Sequence, residues 1–182
     1  AYCPNLMVAC LYTQFTHKLG MGDALFKAGS VMGLAAYGEI YQQVKKNITS
    51  YIQDVIFTRD KKINFENKMV NKIWNQITGG IKDLDNSEKD SKLSMDIAAN
   101  LQFIFEESLL YKINNVKNKI KEIEKSNNIP INTQNVTNIC LSGGSMLNCN
   151  VNSRILKETC FNNIHLFPGC GDDGLAAGCA LF

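Results

Sequence analysis

The chain has 182 residues, of which 45% are hydrophobic and 20% charged, and its formal net charge is +2. That composition is ordinary for a soluble globular protein, and the length suits one domain or one lobe with a real core. The charge is too small to argue for nucleic acid or a membrane surface, and no apolar run reaches the roughly 18–20 residues that span a bilayer.

Residues 1–39 are apolar and rich in small side chains, including Gly20, Gly22, Gly29, Gly33 and Gly38. Within them 6–19 reads as a buried helix, although spacing alone leaves a strand open for 6–11. Residues 40–128 carry more Lys and Asn and open with an irregular part up to about Lys92. Gly79 and Gly80, followed by Asp83, Asp85, Asn86 and Ser87, predict a solvated loop. Then Ile97, Leu101, Ile104, Phe105, Leu109, Ile113, Val116, Ile120 and Ile123 recur at helical spacing and predict one long helix with a broad apolar face. Ser94 or Asp96 is its expected cap, and Asn127-Asn128-Ile129-Pro130 its expected end. That helix is scaffold.

Residues 135–182 change rhythm. A β-prone run, 136–141, stops at Ser142-Gly143-Gly144, and a helical pattern follows through Met146, Leu147, Val151, Ile155 and Leu156. A second short run, 164–167, stops at Pro168-Gly169-Cys170-Gly171-Asp172-Asp173-Gly174, and a last helix starts at about Leu175. Strand, glycine turn, helix, repeated once, predicts an α/β arrangement with both turns at one edge of a sheet.

The seven cysteines are odd in number and form no CxxC pair, which argues against a zinc knuckle or a disulfide framework. Reduced, buried thiols in a cytosolic protein are expected instead. Two Asn-x-Thr triplets, at Asn47 and Asn135, carry little weight without a secretory signal. Ala1 in first place and an apolar stretch at 175–182 with no stop signal read as cuts through a longer chain.

The two turns carry the chemistry. A strand ending in Ser-Gly-Gly before a helix offers backbone N–H groups to an anion, with no Cβ in the way. Tight turns also need glycine for purely structural reasons. Asp172 and Asp173 can bind a divalent cation through hard oxygens, or cap the following helix. A phosphate cradle beside a carboxylate is what metal-assisted nucleotide chemistry requires. Asn148 and Asn152, one helical turn apart, can hydrogen-bond a ribose, phosphate or substrate; Arg154 fits a solvated face equally well.

"ICLSGGSMLNCNVNSRIL" followed by "IHLFPGCGDDGLAAGCALF" resembles the nodulation-protein and antibiotic carbamoyltransferase family. "SVMGLAAYG" at 30–38 is similar to its K-x-MGLA-x-YG element, "DIAANLQFIFEESLL" at 96–110 to its helix after an insertion, and "MVACLYTQFTHKLGM" to the stretch before the first element. The resemblance implies an actin/sugar-kinase/Hsp70-like (RNase H-like) α/β lobe with a helical insertion. Residues 1–182 would be a fragment of one transfer domain, with a variable insertion at about 41–95 and the adenylate-forming domain absent. It implies an ATP-using O-carbamoyltransferase that takes carbamoyl phosphate and ATP through carbamoyl-adenylate to a hydroxyl acceptor. Ser142, Gly143, Gly144 and Asn148 fall on the nucleotide site, and Asp172 on the metal-ligand Asp. No residue is assigned a catalytic role.

The metal is expected to be iron, manganese or zinc, and the location cytoplasmic. The expected partners are small molecules and the rest of the parent chain, with no nucleic acid and no membrane. Ser30 stands where the family has Lys, Ala36 stands where Pro is common, and the family's paired histidine ligands are missing. His17 reads as a surface or helix histidine and His165 as a strand residue beside the turn. The fragment alone is therefore expected to be inactive. Other readings are a tRNA threonylcarbamoyltransferase relative, an actin-like or sugar-kinase ATPase lobe, and a non-catalytic degenerate copy.

Overall fold

Val8, Leu11, Tyr12, Phe15 and Leu19 follow helical spacing and are all buried, the first four on the inner face of helix α1 (Met7–Lys18) and Leu19 just beyond its end. The helical alternative for this segment is the one formed. These features belong to a computed structural model that describes residues 7–56, 64–85, 87–88, 90–127, 136–171 and 174–181. The chain divides into two compact units, Ala1–Ser108 and Leu109–Phe182.

In the first unit α1 packs against α2 (Ala24–Leu34), α4 (Ile48–Ile56) and α5 (Asn64–Thr78); the short α3 (Gln42–Lys46) leads into α4. The region read as irregular is therefore largely helical. Tyr51, Ile52 and Val55 form the inner face of α4, and Met69, Val70, Ile73, Trp74 and Ile77 that of α5. Their helical spacing outweighs the high Lys and Asn content, because burying an apolar face stabilises a helix more than propensity does. Trp74 meets Phe15 edge-on at 5.3 Å, and Tyr12 meets Phe105 in the same way at 5.2 Å. The Trp74 indole also donates to the Ile81 carbonyl at 2.8 Å, so its one polar atom is satisfied.

The predicted loop after Gly79-Gly80 returns to the end of α1. Leu84 N–H donates to the Lys18 carbonyl at 2.7 Å, and Lys18 pairs with Asp83 at 2.6 Å. Gly20 has φ +68, and a Cβ there would lie 2.6 Å from the Asp85 carbonyl carbon, so this junction admits only glycine.

The long predicted helix is two helices, α6 (Lys92–Asn114) and α7 (Val116–Asn127). At the break, Asn115 donates its side-chain amide to the Tyr111 carbonyl at 2.7 Å and divides its N–H between Tyr111 and Lys112. Such side-chain bonding competes with the helical ladder. The apolar face is buried as far as Ile113, while Ile123 is exposed. The cap also differs from expectation. Ser91 Oγ accepts from Ser94 N–H at 3.2 Å, so Ser91 opens α6. The expected end of the helix beyond Asn127 lies outside the described residues.

In the second unit β1 (Asn138–Leu141), helix α8 (Cys149–Glu158) and β2 (Asn163–Leu166) form a βαβ unit. The strands pair in parallel, in register Asn138 with Asn163, Ile139 with Ile164, Cys140 with His165 and Leu141 with Leu166. Val151 and Ile155 of α8 are buried, as are Met146, Phe161 and Cys170. Helix α9 (Gly174–Leu181) closes the described chain. The fold is thus helix-rich α/β with a small parallel sheet.

The expectation of buried thiols is overturned. Cys140, Cys149, Cys160 and Cys179 are exposed, Cys10 is half-buried and only Cys170 is buried; Cys3 lies outside the described residues.

Candidate functional site

Parallel pairing in register places the ends of β1 and β2 side by side, and with them the two glycine turns. Gly143 N–H donates to the Cys170 carbonyl at 2.7 Å, so one turn is tied directly to the other. Gly143 has φ +103, a conformation that side chains with a Cβ rarely adopt. The Cβ position of Gly171 lies 3.9 Å from Gly144 Cα and 3.6 Å from Leu147 Cδ1, an ordinary contact that seats the second turn beside the first.

Ser142, Gly143 and Gly144 are exposed. Gly144 does not open an α-helix directly, as the sequence pattern predicts. It starts a 3-10 turn, Gly144–Leu147, and α8 begins only after Asn148. The first N–H groups of such a turn have no acceptor within it, so an anion still finds donors there. Asn148 is buried, and its Oδ1 accepts from Val151 N–H at 3.2 Å as the N-cap of α8. Asn152 donates Nδ2 to the Met146 carbonyl at 2.7 Å and fixes the 3-10 turn to α8. Its Oδ1 is buried without a hydrogen-bond partner among the described residues.

Arg154 grips Glu158 through two bonds, at 2.7 and 2.8 Å, on the outer side of α8, which is the solvated-face reading. The Arg154 guanidinium holds the Glu158 carboxyl below the usual carboxylate range. Asp172 and Asp173 lie outside the described residues. Their flanks are described: Gly174 N–H donates to the Gly171 carbonyl at 3.1 Å. Among the described residues no three His, Cys, Asp or Glu side chains converge as a metal cluster.

The first unit brings two other landmarks together. The GLAAYG element folds as a 3-10 turn, Ala35–Tyr37, and its exit docks on the start of α6. Asp96 Oδ1 accepts from Glu39 N–H at 2.7 Å, and Asn100 Oδ1 accepts from Tyr41 N–H at 2.9 Å. Asn100 Nδ2 donates to the Glu39 carbonyl at 3.0 Å. Motif reading did not identify these two acceptors. The signal was available, since an Asp and an Asn one turn apart stand among the apolar positions of a core helix, where polar groups persist only when paired.

Lys92 bonds Asp96 at 2.8 Å; that contact, with Glu39 alongside, holds its ammonium above the ordinary lysine range. Burial and then the Asp96 carboxylate push the Tyr41 phenol up. Ser30 is exposed on α2, and His17, read as a surface or helix histidine, is exposed near the end of α1.

Two glycine turns joined at the end of a parallel βαβ unit define a helix-rich α/β protein with a glycine-lined sheet edge. The family is then fixed by comparison: residues 2–181 match the model described as "Carbamoyltransferase N-terminus", and the chain belongs to that family. It is similar to uncharacterized protein sll1178 of Synechocystis sp., with 32% identity over 180 residues, covering 94% of this chain and 26% of that protein. It is also similar to uncharacterized protein MJ1058 of Methanocaldococcus jannaschii, with 27% identity over 175 residues, covering 94% and 24% respectively. The chain spans about a quarter of the length of these curated relatives. No solved structure gives a significant match. No helix among the described residues is long and apolar enough to cross a membrane.

Proposed function

We propose that this chain is the nucleotide-binding part of an actin-like transfer domain in a cytoplasmic O-carbamoyltransferase. It would pass a carbamoyl group from carbamoyl-adenylate to an acceptor hydroxyl. Family membership supports the reaction class, and one observation carries the site. Gly144 has no positive φ, and a Cβ built on it meets nothing within 4 Å. Neither backbone conformation nor packing within the chain demands glycine there. A ligand phosphate approaching the backbone would demand it, and Gly144, unlike the equally open Gly29 and Gly33 within α2, stands where the two turns meet.

In this reading Ser142, Gly143 and Gly144 cradle the nucleotide phosphates, and Asn148 presents the adenylate side while its Oδ1 caps α8. The Gly143 to Cys170 hydrogen bond holds the phosphate turn against the turn that carries Asp172. The carboxylate of Asp172 suits a divalent cation of the iron, manganese or zinc group, with further ligands from outside the described residues. When bound, such a cation polarises the carbamoyl carbonyl and offsets the developing oxyanion charge. The chain's own contribution is to place nucleotide and carbonyl in one fixed geometry.

The test uses the complete polypeptide with its adenylate-forming domain. Gly144→Ala is expected to leave the melting temperature within about 2 °C, because no atom is displaced. It is expected to weaken ATP binding at least roughly tenfold, about 1.4 kcal/mol. Unchanged ATP affinity in calorimetry would remove the phosphate cradle from this turn. Asp172→Ala is expected to abolish stoichiometric metal binding and carbamoyl transfer while leaving nucleotide affinity in place; retention of both metal and transfer would refute the ligand assignment.

A further inference from the structure

The outer face of the small sheet carries a pair of residues that the nucleotide site does not use. Cys140 of β1 and His165 of β2 are register partners, and both are exposed. Register partners in a parallel ladder send their side chains to the same face from strands about 4.8 Å apart. Side chains do meet across this face. One rung away, Asn163 Nδ2 donates to Asn138 Oδ1 at 2.8 Å. The next rung in the same phase is Cys140 with His165.

A thiolate at about 2.3 Å and an imidazole nitrogen at about 2.0 Å from one tetrahedral ion stand roughly 3.5 Å apart, within reach of neighbouring strands. We propose that Cys140 and His165 form a two-residue binding site for a thiophilic divalent cation of the zinc class. Sulfur and imidazole together select zinc or its close relatives over magnesium or calcium, which prefer oxygen. With two protein ligands the ion keeps open positions for water or a further ligand. The site is distinct from Asp172. It uses opposite donor chemistry and depends on strand register, so it stands whether or not the carbamoyl-transfer reading does.

Cobalt(II) is the probe, because a cobalt–thiolate bond gives a near-ultraviolet charge-transfer band. The reduced, metal-free 182-residue chain is titrated under anaerobic conditions and zinc is then used to displace the cobalt. A one-to-one complex with that band is expected, bleached by zinc. Cys140→Ser is expected to abolish the band, and His165→Asn to weaken binding at least roughly tenfold, since losing a ligand costs no less than losing a group that orients one. Exchanging the two residues, Cys140→His with His165→Cys, keeps both ligands in register and is expected to restore binding. Both positions are exposed, so circular dichroism should be the same for all forms. A band that survives in Cys140→Ser places the metal on another of the seven cysteines and overturns the proposal. Equal affinity in His165→Asn, or no binding by the exchanged form, overturns it as well.

Discussion

Gly38→Ala is expected to lower the stability of the first unit by about 3 kcal/mol, at the upper end of overpacking penalties. Backbone conformation is not the cause, because Gly38 has φ −96 and ψ 170, which alanine adopts freely. The cause is space. A Cβ at this position would stand 2.0 Å from the Met95 carbonyl oxygen and 2.8 Å from Asp96 N, both in the main chain of the first turns of α6. No side-chain rotation relieves that clash, so Gly38 and α6 must separate. Separation breaks the bonds from Glu39 and Tyr41 N–H to Asp96 and Asn100, and Asn100 is fully buried. Each buried group left unpaired costs about 1–3 kcal/mol more.

Trp74, the only tryptophan, is packed on Phe15 in the same unit and reports the unfolding by fluorescence. A fall in melting temperature of roughly 6–12 °C is expected for a chain of this size. Gly29→Ala is the internal control. It lies in α2 with no neighbour at its Cβ position, so helix propensity alone acts and stabilises by up to about 1 kcal/mol. Equal melting temperatures for Gly38→Ala and the parent would show that α6 is not held at the distance described.

The helices whose apolar spacing is uninterrupted were readable from sequence, and those masked by composition were not. In α1 the stripe from Val8 to Leu19 contains no competing signal. In α4 and α5 the equivalent stripes, Tyr51 to Val55 and Met69 to Ile77, are short: that of α4 stands among Thr, Ser, Gln and Asp, and that of α5 among Lys and Asn, which dilute the apolar content without disturbing the period. The break at Asn115 was invisible for another reason. Apolar spacing continues through it, and only the side-chain amide bonding back to Tyr111 interrupts the ladder. The α6 cap lies at Ser91 because the helix starts at Lys92, which leaves Ser94 and Asp96 inside it; Asp96 instead meets Glu39, a tertiary contact that no local pattern encodes.

For the candidate site, the order of strand, glycine turn and helix was legible, as was the juxtaposition of the turns, since parallel strands place their carboxyl ends together. The hydrogen bond between Gly143 and Cys170 was not, because it joins backbone atoms whose side chains say nothing about it. Nor was the 3-10 turn, which delays α8 until Asn148 can cap it. The pairing of Cys140 with His165 across the strands required the register itself. The two residues lie far apart in sequence, and a slip of one residue would put them on opposite faces.

Gly174→Ala is expected to have the largest effect in the second unit. Its Cβ would lie 2.0 Å from the Gly169 carbonyl oxygen and 3.1 Å from the Gly169 carbonyl carbon. The obstacle is main chain, so no side-chain rotation relieves it. The turn from Pro168 to Gly174 must therefore open, which strains the Gly174 to Gly171 bond and the Cys170 link to Gly143. A stability loss of about 3 kcal/mol follows from overpacking against backbone. Asp172 sits inside that turn in sequence, and a displacement of about 1 Å at a reacting centre costs on the order of a hundredfold in rate. On the proposed function, the variant is expected to lose nucleotide affinity, metal binding and carbamoyl transfer together, whereas Gly144→Ala is expected to lose nucleotide affinity with the fold intact. Hydrogen exchange separates the two cases, because amides of β1 and β2 become exposed only when the turn that joins their ends is sprung. If Gly174→Ala kept the parent's protection on both strands, the contact between Gly169 and Gly174 would not be what holds the two turns together.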